Sequence, residues 1–240
     1  MGTEWVFIVA MLCVYFPLTW GQTSANISSC NCVSFRLSNV QDYYMSKQQI
    51  AIINTFKTYQ VPLTIGISGD YFGVDSQITG FIQEAVSSSE WQTEIACNGF
   101  QYKDLSSVSQ IEQTQQLAMC SAKLEAIFGK RPSTLIPPMG SINQDTLTAM
   151  KTVGFTHLSG IASRDPGPYP LKKPAQDPTM IWRFPADAST SNMTNGVFYS
   201  PVSADIAWAQ IQTQIQANGF AVVDINPYEF ATYNTQYGFY

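Results

Sequence analysis

Short runs of β-branched and aromatic residues alternate along this chain with longer runs whose apolar residues recur at helical spacing. That alternation restricts the fold more than any other feature. The strand-like runs are Val33–Leu37, Pro62–Ile67, Thr93–Cys97, Thr134–Ile136, Thr156–Ser159, Met180–Phe184 and Ala221–Ile225. Between them the spacing predicts helices over Lys47–Tyr59, Gln77–Val86, Ser109–Phe128, Gln144–Val153 and Asp205–Ala217. Ile50, Ile53 and Phe56 fall on one helical face, Leu117, Cys120, Leu124 and Phe128 on another, and Gly129 and Gly219 supply stops. No Gly-rich first turn marks a dinucleotide crevice, so seven short strands predict an α/β fold in which a distorted seven-stranded parallel barrel is favoured over an open sheet. In such barrels chemistry sits at the C-terminal ends of the strands.

With 240 residues, 45% apolar and 12% charged, the chain can bury one sizeable core and is too apolar to be disordered. Residues 1–21 read as a signal peptide: Trp5–Leu18 is apolar but short for a bilayer, and Thr19 and Gly21 place small residues before a cut. The absence of Lys and Arg ahead of that run leaves an uncleaved anchor as the alternative. A short segment, 22–32, then precedes a domain over 33–240. Secretion is the expectation, and the sequons at Asn26 and Asn192 fit it as candidate glycosylation sites. Cys30, Cys32, Cys97 and Cys120 lie in the mature chain, and Cys30 and Cys32, one residue apart, are expected to find longer-range partners. A net charge of −5 argues against nucleic acid or anionic lipid as partner and is compatible with a neutral polymer. No membrane association beyond the signal peptide is expected.

The strand ends carry a recognisable order of motifs. Phe35-Arg36-Leu37-Ser38-Asn39-Val40 closes the first strand, Ala96-Cys97-Asn98-Gly99-Phe100-Gln101-Tyr102 the third, and Ile136-Pro137-Pro138-Met139 the fourth. Asp165-Pro166-Gly167-Pro168-Tyr169 and Arg183-Phe184-Pro185-Ala186 follow, then Ile225-Asn226-Pro227-Tyr228-Glu229-Phe230. From about Val33 to Phe230 the chain resembles the NodB-homology polysaccharide deacetylases, whose fold is a distorted (β/α) barrel. The resemblance implies that Ser38 and Asn39 stand where the family has two adjacent aspartates, a base and a metal ligand. It also implies that Asn98 and Tyr102 stand where it has two metal-binding histidines, and Asn226 where it has the histidine that protonates the departing amine. In the family the metal, usually zinc, polarises an acetamide carbonyl and acidifies a water.

Those substitutions remove the chemistry each role needs. Asn39 and Asn98 offer neutral amide oxygens and Tyr102 a phenol, a set that suits zinc poorly, so no cofactor is expected. Ser38 cannot act as a base without a partner to deprotonate it, and no histidine is available locally unless the fold brings His157 near; Asn226 has no proton to give at neutral pH. If positioned acid and base are each worth about 10²- to 10⁴-fold, losing both costs about 10⁴- to 10⁸-fold. His157, the single histidine, reads as a hydrogen-bonded strand residue in preference to a substitute base. Asp42, Asp104, Asp165, Asp224 and Glu229 are the carboxylates near the proposed rim, and most read as structural partners.

Arg36, beside two neutral residues, is expected to take a new ion pair or an anionic ligand. Phe100, Tyr102, Tyr169, Trp182 and Tyr228 are candidate faces for sugar rings, and Arg36, Asp42 and Pro138 complete the candidate groove. The chain stops at Tyr240 soon after the seventh strand, which predicts either a truncated domain or a barrel left open along an apolar seam. The expected function is that of a secreted, catalytically inactive family member binding an acetylated polysaccharide such as chitin. The alternatives are an active metal-dependent or unorthodox hydrolase of acetamide C–N bonds, and a degenerate copy serving as a scaffold.

Overall fold

The computed structural model of the protein describes residues 30–165, 181–194, 198–231, 233–234 and 238–239. Eight strands share one parallel sheet: β1 (Cys32–Val40), β2 (Leu63–Ile67), β3 (Thr93–Cys97), β4 (Thr134–Leu135), β5 (His157–Leu158), β6 (Trp182–Arg183), β7 (Ala188–Ser189) and β10 (Phe220–Ile225). Their spatial order is β6-β5-β4-β3-β2-β1-β10-β7. Two antiparallel hairpins, β8 (Ser191–Thr194) with β9 (Phe198–Pro201) and β11 (Tyr233–Asn234) with β12 (Gly238–Phe239), stand outside it. The helices are α1 (Ser46–Thr58), α2 (Ser76–Ser87), α3 (Gln110–Phe128), α4 (Gln144–Val153) and α5 (Ala204–Asn218). No helix among the described residues is long and apolar enough to cross a membrane.

Strand alternation decides which side chains meet. On β1, Phe35 and Leu37 point outward into the core beneath the helices, and the Phe35 ring meets Phe56 of α1 edge-on at 5.2 Å. Ile65 and Ile67 of β2, Ile53 of α1 and Leu124 of α3 are fully buried in the same layer, each contributing about 1.5–3 kcal/mol. The other set, Ser34, Arg36 and Ser38 on β1 with Thr64, Glu94 and Asn98 on its neighbours, faces the barrel interior.

The helices start and stop where local chemistry requires. Ser109 accepts from the backbone N–H of Glu112 at the start of α3, and Gly129 ends that helix in the left-handed region at φ 68°. Asn143 and Thr146 cap α4 reciprocally, and the buried Gln113 accepts from the Thr146 hydroxyl at 2.6 Å, which fixes α4 against α3.

Three expectations need correction. The sheet has eight strands, because β7 pairs with β10 through Val223–Ala188 and Asp224–Ser189, so no open seam flanks β10. Its two residues carry no periodicity to read. The edge strands β6 and β7 are only a few residues apart in sequence, and Phe184 of the intervening segment meets Phe220 edge-on at 5.8 Å, drawing the two edges together. Cys30 pairs with Cys32 at a Cα separation of 5.1 Å, because Asn31 turns through the left-handed region at φ 48°. Cys97 pairs with Cys120, which ties the end of β3 to the middle of α3. Residues 1–21, Asn26 and Tyr169 lie outside the described residues, and Asn192 falls in β8.

Candidate functional site

At the C-terminal ends of the strands, the β1 ladder to β2 shifts register between Leu37 and Val40. Asn39 occupies this irregularity with φ 61°, a conformation asparagine tolerates better than most residues. A bulge here re-aims the side chain across the barrel mouth instead of along the strand. The Asn39 amide donates to Asn226 Oδ1 at 2.7 Å, and the Asn39 backbone N–H donates to Asn98 Oδ1 at 2.7 Å. Asn98 Nδ2 donates in turn to the Ile136 carbonyl at 3.1 Å, and Asn226 Nδ2 to Asp224 Oδ2 at 3.2 Å. The three asparagines are therefore brought together, each held by the others or by nearby backbone.

Asp224 is the hub of the interior. Its Oδ1 receives Arg36 Nε at 2.8 Å and the Ser38 hydroxyl at 2.5 Å. Arg36 is 5% exposed and also donates through Nη1 to the Ser159 carbonyl and to Ser159 Oγ. The ion pair foreseen for Arg36 is present: the guanidinium lies in the barrel interior, below the rim, neutralised by Asp224. The i and i+2 spacing of Asp224 and Asn226, and of Arg36 and Ser38, was the available signal for this cluster. Ser159, two residues after His157 on the same face, went unread.

Glu229 follows in the turn Pro227–Phe230, accepting from the Asn226 backbone N–H at 3.1 Å and from the Thr190 hydroxyl. Burial pushes its carboxyl from 4.5 up to about 7; the Thr190, Ser191 and Asn226 donors oppose the rise and the Asp224 charge adds to it. Tyr102, 48% exposed, has its phenol raised above 10 by partial burial first and the Asp224 charge second.

The remaining candidates separate. Tyr228 packs edge-on against Tyr44 at 5.4 Å, and both follow strand ends, as Tyr102 does. Phe100 packs against the core, close enough to Gly69 that an added Cβ there would meet its ring at 3.0 Å. Pro138 is buried over Gly99, whose φ of 77° and 2.5 Å clearance from Pro138 Cγ leave no room for a side chain. Asp42 accepts from the backbone N–H groups of Val74 and Asp75, so it braces a loop. Trp182 pairs in register with His157 and belongs to the lower ends of the strands, because β6 begins only there. His157 likewise lies low in the barrel, bonded through Nδ1 to Thr156 Oγ1 at 2.9 Å, out of reach of the rim as a substitute base. Asp104 caps Ser106, and Asp165 pairs with Arg183 at 3.0 Å, both buried.

This donor set does not fit a divalent cation of the zinc kind. Asn39 contributes an amide nitrogen toward Asn226, the Asn98 oxygen is held by a backbone N–H, and Tyr102 is driven toward its protonated form. The carboxylate within reach, Asp224, is balanced by Arg36.

Residues 41–158 match the polysaccharide deacetylase family model, a stretch that begins just after Ser38 and Asn39 and ends before Asn226. No curated protein matches in sequence. Among solved structures, a Mycobacterium smegmatis protein named as a polysaccharide deacetylase superposes with a TM-score of 0.60 at 14% identity, over 87% of this chain and 80% of that one. A CE4-family pseudoenzyme from Bacillus anthracis superposes at 0.53 and 14% identity, over 82% of this chain and 55% of that one, so this chain spans about half its length. The chitin deacetylase of the fungal pathogen Colletotrichum lindemuthianum superposes at 0.55 and 11% identity, over 84% and 76%. Over residues 41–158 the chain carries the polysaccharide deacetylase domain, and its curled parallel sheet with this strand order agrees with the fold of that family.

Proposed function

We propose that this is a secreted member of the family that holds an acetylated polysaccharide at the barrel rim without deacetylating it. The observation that carries the reading is the Asn39–Asn98–Asn226 cluster. Its amides are hydrogen-bonded to one another and to backbone, where metal-assisted hydrolysis needs carboxylate and imidazole donors and a group able to move a proton. By the resemblance, Ser38 and Asn226 occupy the positions of the family's base and acid, and Asn39, Asn98 and Tyr102 those of its metal ligands. Two disulfides and the apolar N-terminal run support an oxidising, extracellular setting. Tyr102 and Tyr228 are the faces on which sugar rings would stack.

Native mass spectrometry of the deglycosylated secreted protein, with and without zinc, tests the catalytic half of the reading together with acetate release from chitin oligosaccharides. The expected result is a folded protein with no one-to-one zinc adduct and no acetate released above the uncatalysed rate. Retention on chitin tests the binding half: Tyr102→Ala is expected to weaken it about tenfold. A stoichiometric zinc adduct with acetate release, or retention unchanged by Tyr102→Ala, would each sink the corresponding half.

A further inference from the structure

The lower end of the barrel, opposite the asparagine cluster, contains a cavity of about 260 Å³. In most (β/α) barrels this level is filled by branched apolar side chains. Here Ser34, Thr64, Glu94, Thr134 and His157 line the cavity together with the apolar Phe184, Phe220 and Val222. The exposed Cys30 and Cys32 also line it, so the cavity reaches the surface beside their disulfide.

Glu94 is the feature that needs explanation. It accepts from the Thr134 hydroxyl at 2.5 Å and from the Ser133 and Thr64 hydroxyls, each at 3.3 Å. These are neutral donors, and none of the ion pairs among the described residues includes Glu94. Arg36, the guanidinium in the lining, is bonded to Asp224 and Ser159 instead. A carboxylate in a semi-enclosed wall without a cation favours a positively charged occupant, because its field is poorly screened there. A bare hard cation is a poor match, since such ions take six or more oxygens and several carboxylates, and Glu94 is the one carboxylate in the lining. Phe184 and Phe220, in the same lining, present aromatic surface to which an alkylated cation is attracted and an anion is not.

We propose that this lower cavity binds a small organic ammonium ion, its charge against Glu94 and its carbon frame against Phe184 and Phe220. At about 30 Å³ per water the space corresponds to roughly eight or nine waters, enough for a ligand of about seven to ten heavy atoms. The Thr64 hydroxyl, which donates to Glu94, and the Ser34 hydroxyl elsewhere in the lining can bond a hydroxyl or N–H on the ligand. The site is independent of the rim and of any polysaccharide held there.

The chain's single histidine makes the test direct, because the His157 ring gives one Cε1–H resonance and lines the cavity. The secreted full chain is titrated at fixed pH with choline and, separately, with 3,3-dimethyl-1-butanol, the uncharged analogue of the same shape. The expected result is a saturable shift of the His157 resonance, with choline at least about tenfold tighter than the alcohol, a difference of about 1.4 kcal/mol. Glu94→Gln should abolish that preference, while Thr152→Ala, on the exposed face of α4, should keep it. Should Glu94→Gln fail to fold, Ser34→Leu, which fills the cavity from β1, is expected to abolish the choline shift. Equal binding of the two compounds, no shift up to about 50 mM choline, a preference for choline that survives Glu94→Gln, or a choline shift that survives Ser34→Leu would overturn the proposal.

Discussion

Glu229 illustrates what a single buried carboxyl does to this fold. Burial raises it from 4.5 to about 7, so the folded state holds its proton more tightly than the unfolded chain does. The stability it contributes is therefore full below pH 4.5 and is lost as pH rises through about 7, by about 3 kcal/mol. Glu229→Gln, which keeps an acceptor for the Asn226 N–H, is expected to remove this component. Urea midpoints measured from pH 4.5 to 8 should show wild type losing ground to the variant as pH rises, and parallel curves would count against the assignment. At this scale the rim asparagines and Ser38 were legible through the resemblance of their strand-end motifs to those of the deacetylases, on strands long enough to be placed. Phe100, Trp182 and Asp42 were not. Whether a residue faces the rim, the core or the lower barrel depends on strand level, and a two-residue strand such as β6 gives no period from which to count.

Elements with their own stop signals were the most readable. The helix predicted over Gln144–Val153 is α4 to the residue, framed by Asn143 and Gly154. By contrast, β7 escaped detection because Ala188 and Ser189 lack both length and pattern, and its place is set by pairing with β10. The disulfides also act between elements, and unequally. Cys97–Cys120 closes a loop with a sequence separation of 23, and in the chain-entropy account such a loop contributes about 3 kcal/mol. Cys30–Cys32, at a separation of 2, restricts little of the unfolded chain. Replacing Cys97 and Cys120 with alanine should lower the guanidinium stability by about that amount or more. The matching Cys30/Cys32 double variant should change it by less than about 1 kcal/mol. A reversal of that order, measured by equilibrium denaturation, would contradict the account.

For the whole molecule, the decisive contact is the one that curls the sheet. β6 and β7 are its two edges, and Phe184 against Phe220 with Ala186 and Val222 fills the space between them. Phe220→Ala is expected to cost about 3–5 kcal/mol, since the cavity it leaves adjoins an existing one and has nothing to collapse onto. Thermal unfolding of the variant checks this, and a loss below about 1 kcal/mol would mean the closure is held elsewhere. The bond between Ser38 and Asp224 has a further consequence, for what position 38 can hold. A carboxylate placed there would face Asp224 across the 2.5 Å that the serine hydroxyl now bridges. Two carboxylates that close cannot both ionise, so the newcomer would arrive half-neutralised unless Asp224 changed as well. Positions 38 and 224 therefore form one unit of charge, and an acidic residue can enter the first only together with a change at the second.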